Sequence, residues 1–139
     1  MATTKHIFKI GVIVSDGHRL LVVRKKDGRS FILPGGKPEA GENDLQTIAR
    51  EIDEELGCAV EPRSVSYLAT FTDTAADMVA TEITLRVYSA KLIGEPEARS
   101  EIDTLAWFDA WRDSTDELAP SIRNQILPYL IKHKELENA

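Results

Sequence analysis

Gly36-Lys37-Pro38-Glu39-Ala40-Gly41-Glu42, and a little further on Arg50-Glu51-Ile52-Asp53-Glu54-Glu55-Leu56-Gly57-Cys58, form the stretch on which the reading of this sequence turns. Asn43 between them suits a helix N-cap, with Gln46 three residues later to complete a capping-box pair. Leu45, Ile48, Ala49, Ile52 and Leu56 then recur at three- and four-residue steps, the apolar stripe of a helix, and Gly57 supplies the stop. Glu51, Glu54 and Glu55 are spaced to project from neighbouring positions on that helix. Arg50 is the one cation between Lys37 and Arg63, so the acids are crowded with little local compensation. A run of acids on a helix is ordinarily a solvated face. Here a Gly35-Gly36 loop precedes it, where backbone can approach a metal or phosphate that a side chain would block. The natural counter-ion for such an oxygen-rich set is a hard cation, Mg²⁺ or Mn²⁺.

Outward from this stretch the pattern is mostly strand. Ile7 to Val14 and Leu20 to Val23 are apolar runs separated by Ser15-Asp16-Gly17-His18, a hairpin signal. After an Asp27-Gly28 turn, Phe31-Ile32-Leu33 reads as a short strand ended by Pro34-Gly35-Gly36. Ser64 to Thr72, Thr81 to Leu92 and Leu105 to Phe108 follow as strands. Ile122, Ile126, Leu127, Leu130 and Ile131 predict a C-terminal helix that Pro128 kinks or restarts. Strands, helix, strands, helix predict an α/β (α+β) fold, an α/β/α sandwich with a mixed sheet, as one domain over 1–139.

Composition narrows the function. The chain has 139 residues and a formal charge of −6, with 23 acidic against 17 basic residues. That balance gives no basic face for a nucleic acid polymer, although metal ions could sit between an acidic protein and a polyphosphate. Cys58 is the single cysteine, which excludes an intrachain disulfide and a thiolate zinc cage. Met1 to His6 lead into a strand rather than a signal-peptide core, and no apolar run reaches the roughly 20 residues that span a bilayer. The expected compartment is the cytoplasm, with no membrane partner.

The spacing from Gly36 through Glu42, Arg50-Glu51-Ile52 and Glu54-Glu55 to Gly57 resembles the Nudix box, and the flanking Leu33-Pro34-Gly35-Gly36-Lys37 is similar to the MutT-like members. Cys58 departs mildly at a position that normally holds Ile, Leu or Val. The resemblance implies a Nudix-type sandwich and a Mg²⁺-dependent hydrolase, with Mn²⁺ as the alternative metal. It implies Glu51, Glu54, Glu55 and the Gly36 carbonyl as metal ligands, with Glu51 or Glu54 as general base. Arg50 would orient Glu51 by a charge-assisted hydrogen bond, and Glu42 would support the loop. Family members often recruit a further acid from a later loop; Glu101 is the candidate here and Asp103 the fallback. Lys37 and Arg24 are the candidate substrate-phosphate contacts, each with an exposed cation as the plainer reading.

The substrate implied is nucleotide-like: first a (deoxy)nucleoside triphosphate cleaved to monophosphate and pyrophosphate, alternatively ADP-ribose or another nucleotide-sugar or dinucleotide. Phe31, Phe71, Tyr88 and Asn124 are available to a base, with core packing the preferred reading of the aromatics. A non-catalytic nucleotide sensor is the alternative of another class; it is disfavoured because every acid of the box is present. A P-loop is excluded by Pro38 where Ser or Thr is required, a Gly-x-Ser-x-Gly elbow is absent, and His6, His18 and His133 are scattered. Oligomeric state stays open: Trp107, Phe108 and Trp111 suit a dimer interface or a core equally.

Overall fold

The computed structural model describes residues 4–136; Met1 to Thr3, where the N-terminal segment begins, lie outside the described residues. Two strands carry the architecture: β1 (Lys5–Ile13) and β3 (Arg19–Lys25). They read as near-continuous apolar runs because both of their faces are buried. Leu20 and Val22 enter one core cluster while Leu21 and Val23 enter another, and Ile13 faces the first while Ile10 and Val12 face the second. Helix α1 (Asp44–Leu56) closes the second cluster with Ile48, Ile52 and Leu56. The C-terminal helical segment closes the first with Ile122, Ile126, Leu127 and Leu130. The layers are therefore helix, sheets, helix.

β1 pairs in parallel with β7 (Thr81–Ser89) from Lys5↔Thr81 to Ile13↔Ser89. β4 (Gly35–Gly36) adds on the far side of β1, and β6 (Ser66–Thr74) adds antiparallel to β7, which makes a mixed four-stranded sheet. β2 (Ser15–Asp16), β3 and β9 (Ile102–Asp109) form an antiparallel three-stranded sheet. The expected turn at Asp16-Gly17 is present, with Gly17 at φ 62°, but it pairs β3 with the two-residue β2 alone, because the run Ile7 to Val14 that was to be its partner belongs mainly to β1 in the other sheet. β5 (Ala59–Val60) pairs with β8 (Leu92–Ile93) behind the helix.

The expected strand Phe31–Leu33 is not continuous. Ile32 exchanges backbone hydrogen bonds with Val23 of the three-stranded sheet, whereas the Pro34 carbonyl accepts from Val12 and Gly35-Gly36 pairs with Ile10-Gly11 of the four-stranded sheet. The segment crosses from one sheet to the other, so no single ladder can run its length. Ser64 likewise ends a 3₁₀ turn, Pro62–Ser64, ahead of β6.

Helix α1 has the capping box that its sequence predicts: the Gln46 backbone N–H donates to Asn43 Oδ1 at 2.8 Å, and Asn43 N–H donates to Gln46 Oε1 at 2.9 Å. Gly57 ends it at φ 65°, ψ 24°. The buried face differs from the predicted stripe. Leu45 and Ala49 are exposed, and Thr47 and Glu55 are buried instead. Two polar contacts hold that side inward, Thr47 Oγ1 to Glu42 and Glu55 to the Gly35 N–H.

At the C-terminus the chain runs through a π-turn, Ile122–Ile126, before α2 (Leu127–Lys132). Pro128 has no N–H, and its ring crowds the carbonyl four residues earlier; widening the preceding turn, with Leu127 N–H on the Ile122 carbonyl, accommodates both. Among the described residues no helix is long and apolar enough to cross a membrane.

The revised helix face is open to test by urea unfolding. Ile52→Ala is expected to cost about 3 kcal/mol, as for a large side chain cut from a core, and Leu45→Ala less than about 0.5 kcal/mol.

Candidate active site

The site is assembled where β4 passes the middle of α1. Gly35 has φ 137°, and a Cβ built there would lie 2.0 Å from the Ile10 carbonyl oxygen; one on Gly36 would lie 2.5 Å from Glu51 Oε1. Two side-chain-free residues are thus required to fit backbone between a strand and a row of carboxylates. The Gly35 N–H donates to Glu55 Oε1 at 2.9 Å.

Arg50 organises the other side. Its guanidinium grips Glu42 with two bonds, Nε to Oε2 at 2.7 Å and Nη2 to Oε1 at 2.9 Å. It also donates to Glu51 Oε1 at 2.8 Å, to the Lys37 carbonyl at 3.0 Å and to Glu54 Oε2 at 3.4 Å. Glu42 further accepts from the Glu39 N–H and the Thr47 hydroxyl, so its oxygens are taken up by the scaffold. This arginine ties the loop to the helix while leaving Glu54 lightly held and half-exposed.

The carboxylates differ sharply in their electrostatics. Burial pushes Glu55 up to about 8 despite the Gly35 N–H, with neighbouring Glu51 and Glu101 adding to the effect. Burial also raises Glu51 above the usual carboxylate range, against the pull of Arg50. The Arg50 bonds hold Glu42 down at about 2. Raised acids clustered beside a glycine strand are the mark of a site that favours a cation.

Glu101 reaches this cluster through helix chemistry. The last carbonyls of a helix lack intrahelical partners, and here the Glu55 carbonyl accepts from the Arg99 N–H and the Leu56 carbonyl from the Glu97 N–H. That docks the 95–101 loop on α1, and the Glu101 carbonyl takes the Lys26 N–H. Glu101, and not the fallback Asp103, lines a cavity of about 390 Å³ together with Gly35, Gly36, Lys9, Lys25, Asp77 and an apolar wall of Ile7, Ile83, Leu85 and Met78.

Gly36, Glu51, Glu54, Glu55 and Glu101 are therefore brought to one neighbourhood. No group of three or more His, Cys, Asp or Glu among the described residues is closed into a metal cage: Glu55 is turned to Gly35 and Glu51 to Arg50. The two candidate phosphate contacts stand apart from the cavity. Lys37 is exposed, and Arg24 donates to Thr104 Oγ1 at 3.2 Å and stacks over Phe31, 5.1 Å from the ring centroid. Phe31, Phe71, Tyr88 and Asn124 do not line the cavity either; Phe71 packs edge-on to Tyr129, and Tyr88 donates to Asp44. Of the aromatics near the C-terminal half, Phe108 is buried, and Trp107 and Trp111 remain partly exposed.

Sequence reading missed Lys9 and Asp77. Lys9 left a signal, as the one charged residue inside the apolar run Ile7 to Val14. Asp77 left none: its carboxylate accepts from the Arg29 and Ser30 N–H groups and the Ser30 hydroxyl, pinning the β6–β7 turn to the loop after β3.

A family model described as "NUDIX domain" matches residues 5–128, so this chain belongs to the Nudix family. Over 81 residues it is 41% identical to "Putative 8-oxo-dGTP diphosphatase 2" of Mycobacterium tuberculosis, covering 56% of this chain and 52% of that protein. It is 33% identical over 98 residues to "MutT-like protein" of Streptomyces ambofaciens, covering 70% of this chain and 59% of that one. The chain thus spans between half and three-fifths of the length of these curated relatives. Among solved structures it is similar to the MutT NUDIX hydrolase from Burkholderia pseudomallei, with a TM-score of 0.64, 26% identity, and 76% of this chain and 84% of that one covered. A Nudix family member from Chromobacterium violaceum gives 0.69 at 25% identity, covering 99% and 84%. These likenesses agree with the mixed α+β sandwich predicted.

The Glu42–Arg50 pairing has a pH signature. Glu42 has a folded-state pKa below its unfolded one, so its stabilisation is present above about 4.5 and is lost as pH falls through about 2. Thermal unfolding of Glu42→Gln should lie below wild type at pH 5 to 7, and the gap should close towards pH 2.

Proposed function

We propose that this chain hydrolyses a diphosphate linkage in a nucleotide-like substrate, with Mg²⁺, or Mn²⁺ in its place, as the metal. The observation that carries the reading is the hard-oxygen donor set beside the glycine strand: Glu51, Glu54 and Glu55 share one helix, with Glu51 facing Gly36 across a gap that a Cβ would fill and Glu55 accepting the Gly35 N–H. Glu101 supplements it from the loop docked on the end of the helix. That set suits a hard divalent cation and offers nothing to a soft one. Glu51, Glu54, Glu55 and the Gly36 carbonyl would hold the metal, with Glu101 as a further ligand. Bound there, it would neutralise diphosphate oxygens and lower the pKa of a water molecule.

The chain's own residues do the rest. Arg50 fixes the Glu51 carboxylate by its 2.8 Å bond, so that this acid presents one orientation to the site. Glu54, half-exposed and held only at 3.4 Å, is the acid best placed to turn towards a water molecule and accept its proton as general base. The apolar wall of Ile83, Leu85 and Met78 gives the remainder of the substrate a drier surface.

The substrate favoured is a (deoxy)nucleoside triphosphate, giving monophosphate and pyrophosphate. The name of the Mycobacterium tuberculosis relative, an 8-oxo-dGTP diphosphatase, supports this choice. The place of action is proposed as the cytoplasm.

Product formation from normal and oxidised deoxynucleoside triphosphates, ADP-ribose and diadenosine polyphosphates, with Mg²⁺ or with EDTA, tests the reading. Metal-dependent cleavage of the triphosphates is expected. Glu54→Gln should lower turnover by roughly a hundredfold or more, with its unfolding midpoint unchanged. Nucleotide binding without any product would make the protein a sensor, and near-normal turnover by the variant would remove Glu54 from the chemistry.

A further inference from the structure

The C-terminus of helix α1 carries the wrong charges for its dipole. The partial negative charge at a helix C-terminus favours cations, yet the last turn holds Asp53, Glu54 and Glu55 and no basic residue. The cation comes from elsewhere in the chain. Arg99 lies across the end of the helix: a Cβ built on Gly57 would stand 2.4 Å from its Cζ and Nε and 2.9 Å from Nη1. The guanidinium thus rests against the bare α-carbon of Gly57, a second demand for glycine there besides φ 65°. Its acid partner is a weak one, Glu97 at 3.5 Å in an exposed pair.

Arg99 is also the residue through which the loop ahead of β9 is fastened. Its N–H donates to the Glu55 carbonyl at 2.9 Å, and its carbonyl accepts from the Ile102 N–H at 2.9 Å. The turn closed in this way holds Glu101 and places Ser100 at φ 58°, in the left-handed region that a serine enters at a cost. The Glu101 side chain has little to fix it by itself: it is mostly exposed, and its ion pair with Lys25 spans 3.8 Å. The sheet holds the residue from one side, by the Lys26 N–H on its carbonyl. From the other side its place relative to Glu51, Glu54 and Glu55 is inherited from whatever fastens Arg99 to the end of the helix.

We propose that Arg99 is a positioning residue: its guanidinium, seated on Gly57, latches the loop to α1 and so holds Glu101 where it completes the metal-binding acids carried by the helix. This rests on reading those acids as a metal site. Arg99 acting merely as a nearby charge would have the opposite sign. A cation close to a cation site repels its occupant, so on Coulomb grounds alone its removal tightens metal binding. Removal of a latch loosens it.

Mn²⁺ titration calorimetry of protein stripped with EDTA reads this without turnover. Wild type should bind, and Glu101→Gln and Arg99→Ala should each weaken binding about tenfold, the size typical when a group that orients a ligand is lost. Gly57→Asn keeps the left-handed backbone accessible but fills the guanidinium's seat, and should copy Arg99→Ala. In a Glu101→Gln background, Arg99→Ala should change the affinity by less than about twofold, because the residue it positions is gone. Unchanged or tighter Mn²⁺ binding by Arg99→Ala, wild-type binding by Gly57→Asn, or a full further loss in the double variant would each overturn the latch and leave the metal site standing. Absent Mn²⁺ binding by wild type would overturn the latch and the metal reading together. Arg99-dependent Mn²⁺ binding in a protein that cleaves no nucleotide would support the latch and defeat the hydrolase reading.

Discussion

Everything in this molecule hinges on the close passage of Gly35-Gly36 between β1 and α1. On one side the backbone pairs with Ile10 and Gly11; on the other it meets the carboxylates of Glu51 and Glu55. Neither distance leaves room for a methyl group. The helix cannot back away, because Ile48, Ile52 and Leu56 are fully buried in the cluster that also holds Ile10 and Val12. Core packing therefore sets the spacing between carboxylates and backbone, and the site inherits the rigidity of the interior.

Arg50 divides the acids of this region into two kinds. Glu42 is consumed, its oxygens taken by the guanidinium, a backbone N–H and a hydroxyl. Glu54 and Glu101 keep most of their hydrogen-bonding capacity and much of their exposure. The same side-chain chemistry thus serves as a rivet in one place and as an open coordination position in another, and what decides between them is the number of donors within reach.

Local features were the most legible in the sequence. The helix, its capping box, the Gly57 stop and the β2–β3 turn follow from residues within four positions of one another, and all are found where the spacing puts them. Features set by distant contacts were harder. The crossing of Ile32 to Gly36 between two sheets has no periodic signature, since each sheet takes only a residue or two. The exposure of Leu45 depends on which side of the helix polar contacts pull inward. In the site, the acids were readable from their spacing, and Glu101 from its place ahead of β9. The cations were less legible: Arg24 contacts Thr104 and Phe31 and Lys37 is exposed, whereas Lys9 and Lys25 line the cavity.

The parallel pairing of β1 with β7 joins residues 76 apart in the chain. Helix, glycine strand and hairpin all lie within the first 57 residues and can meet through short-range contacts, but the apolar floor of Ile83 and Leu85 must travel the long way round. Loop closure of that length is entropically costly and slows folding. The Glu51, Glu54 and Glu55 side of the site can thus assemble from a nascent N-terminal segment, and the half that would accommodate the remainder of a substrate is added only after β7 has been made. Contact order orders the birth of the two halves.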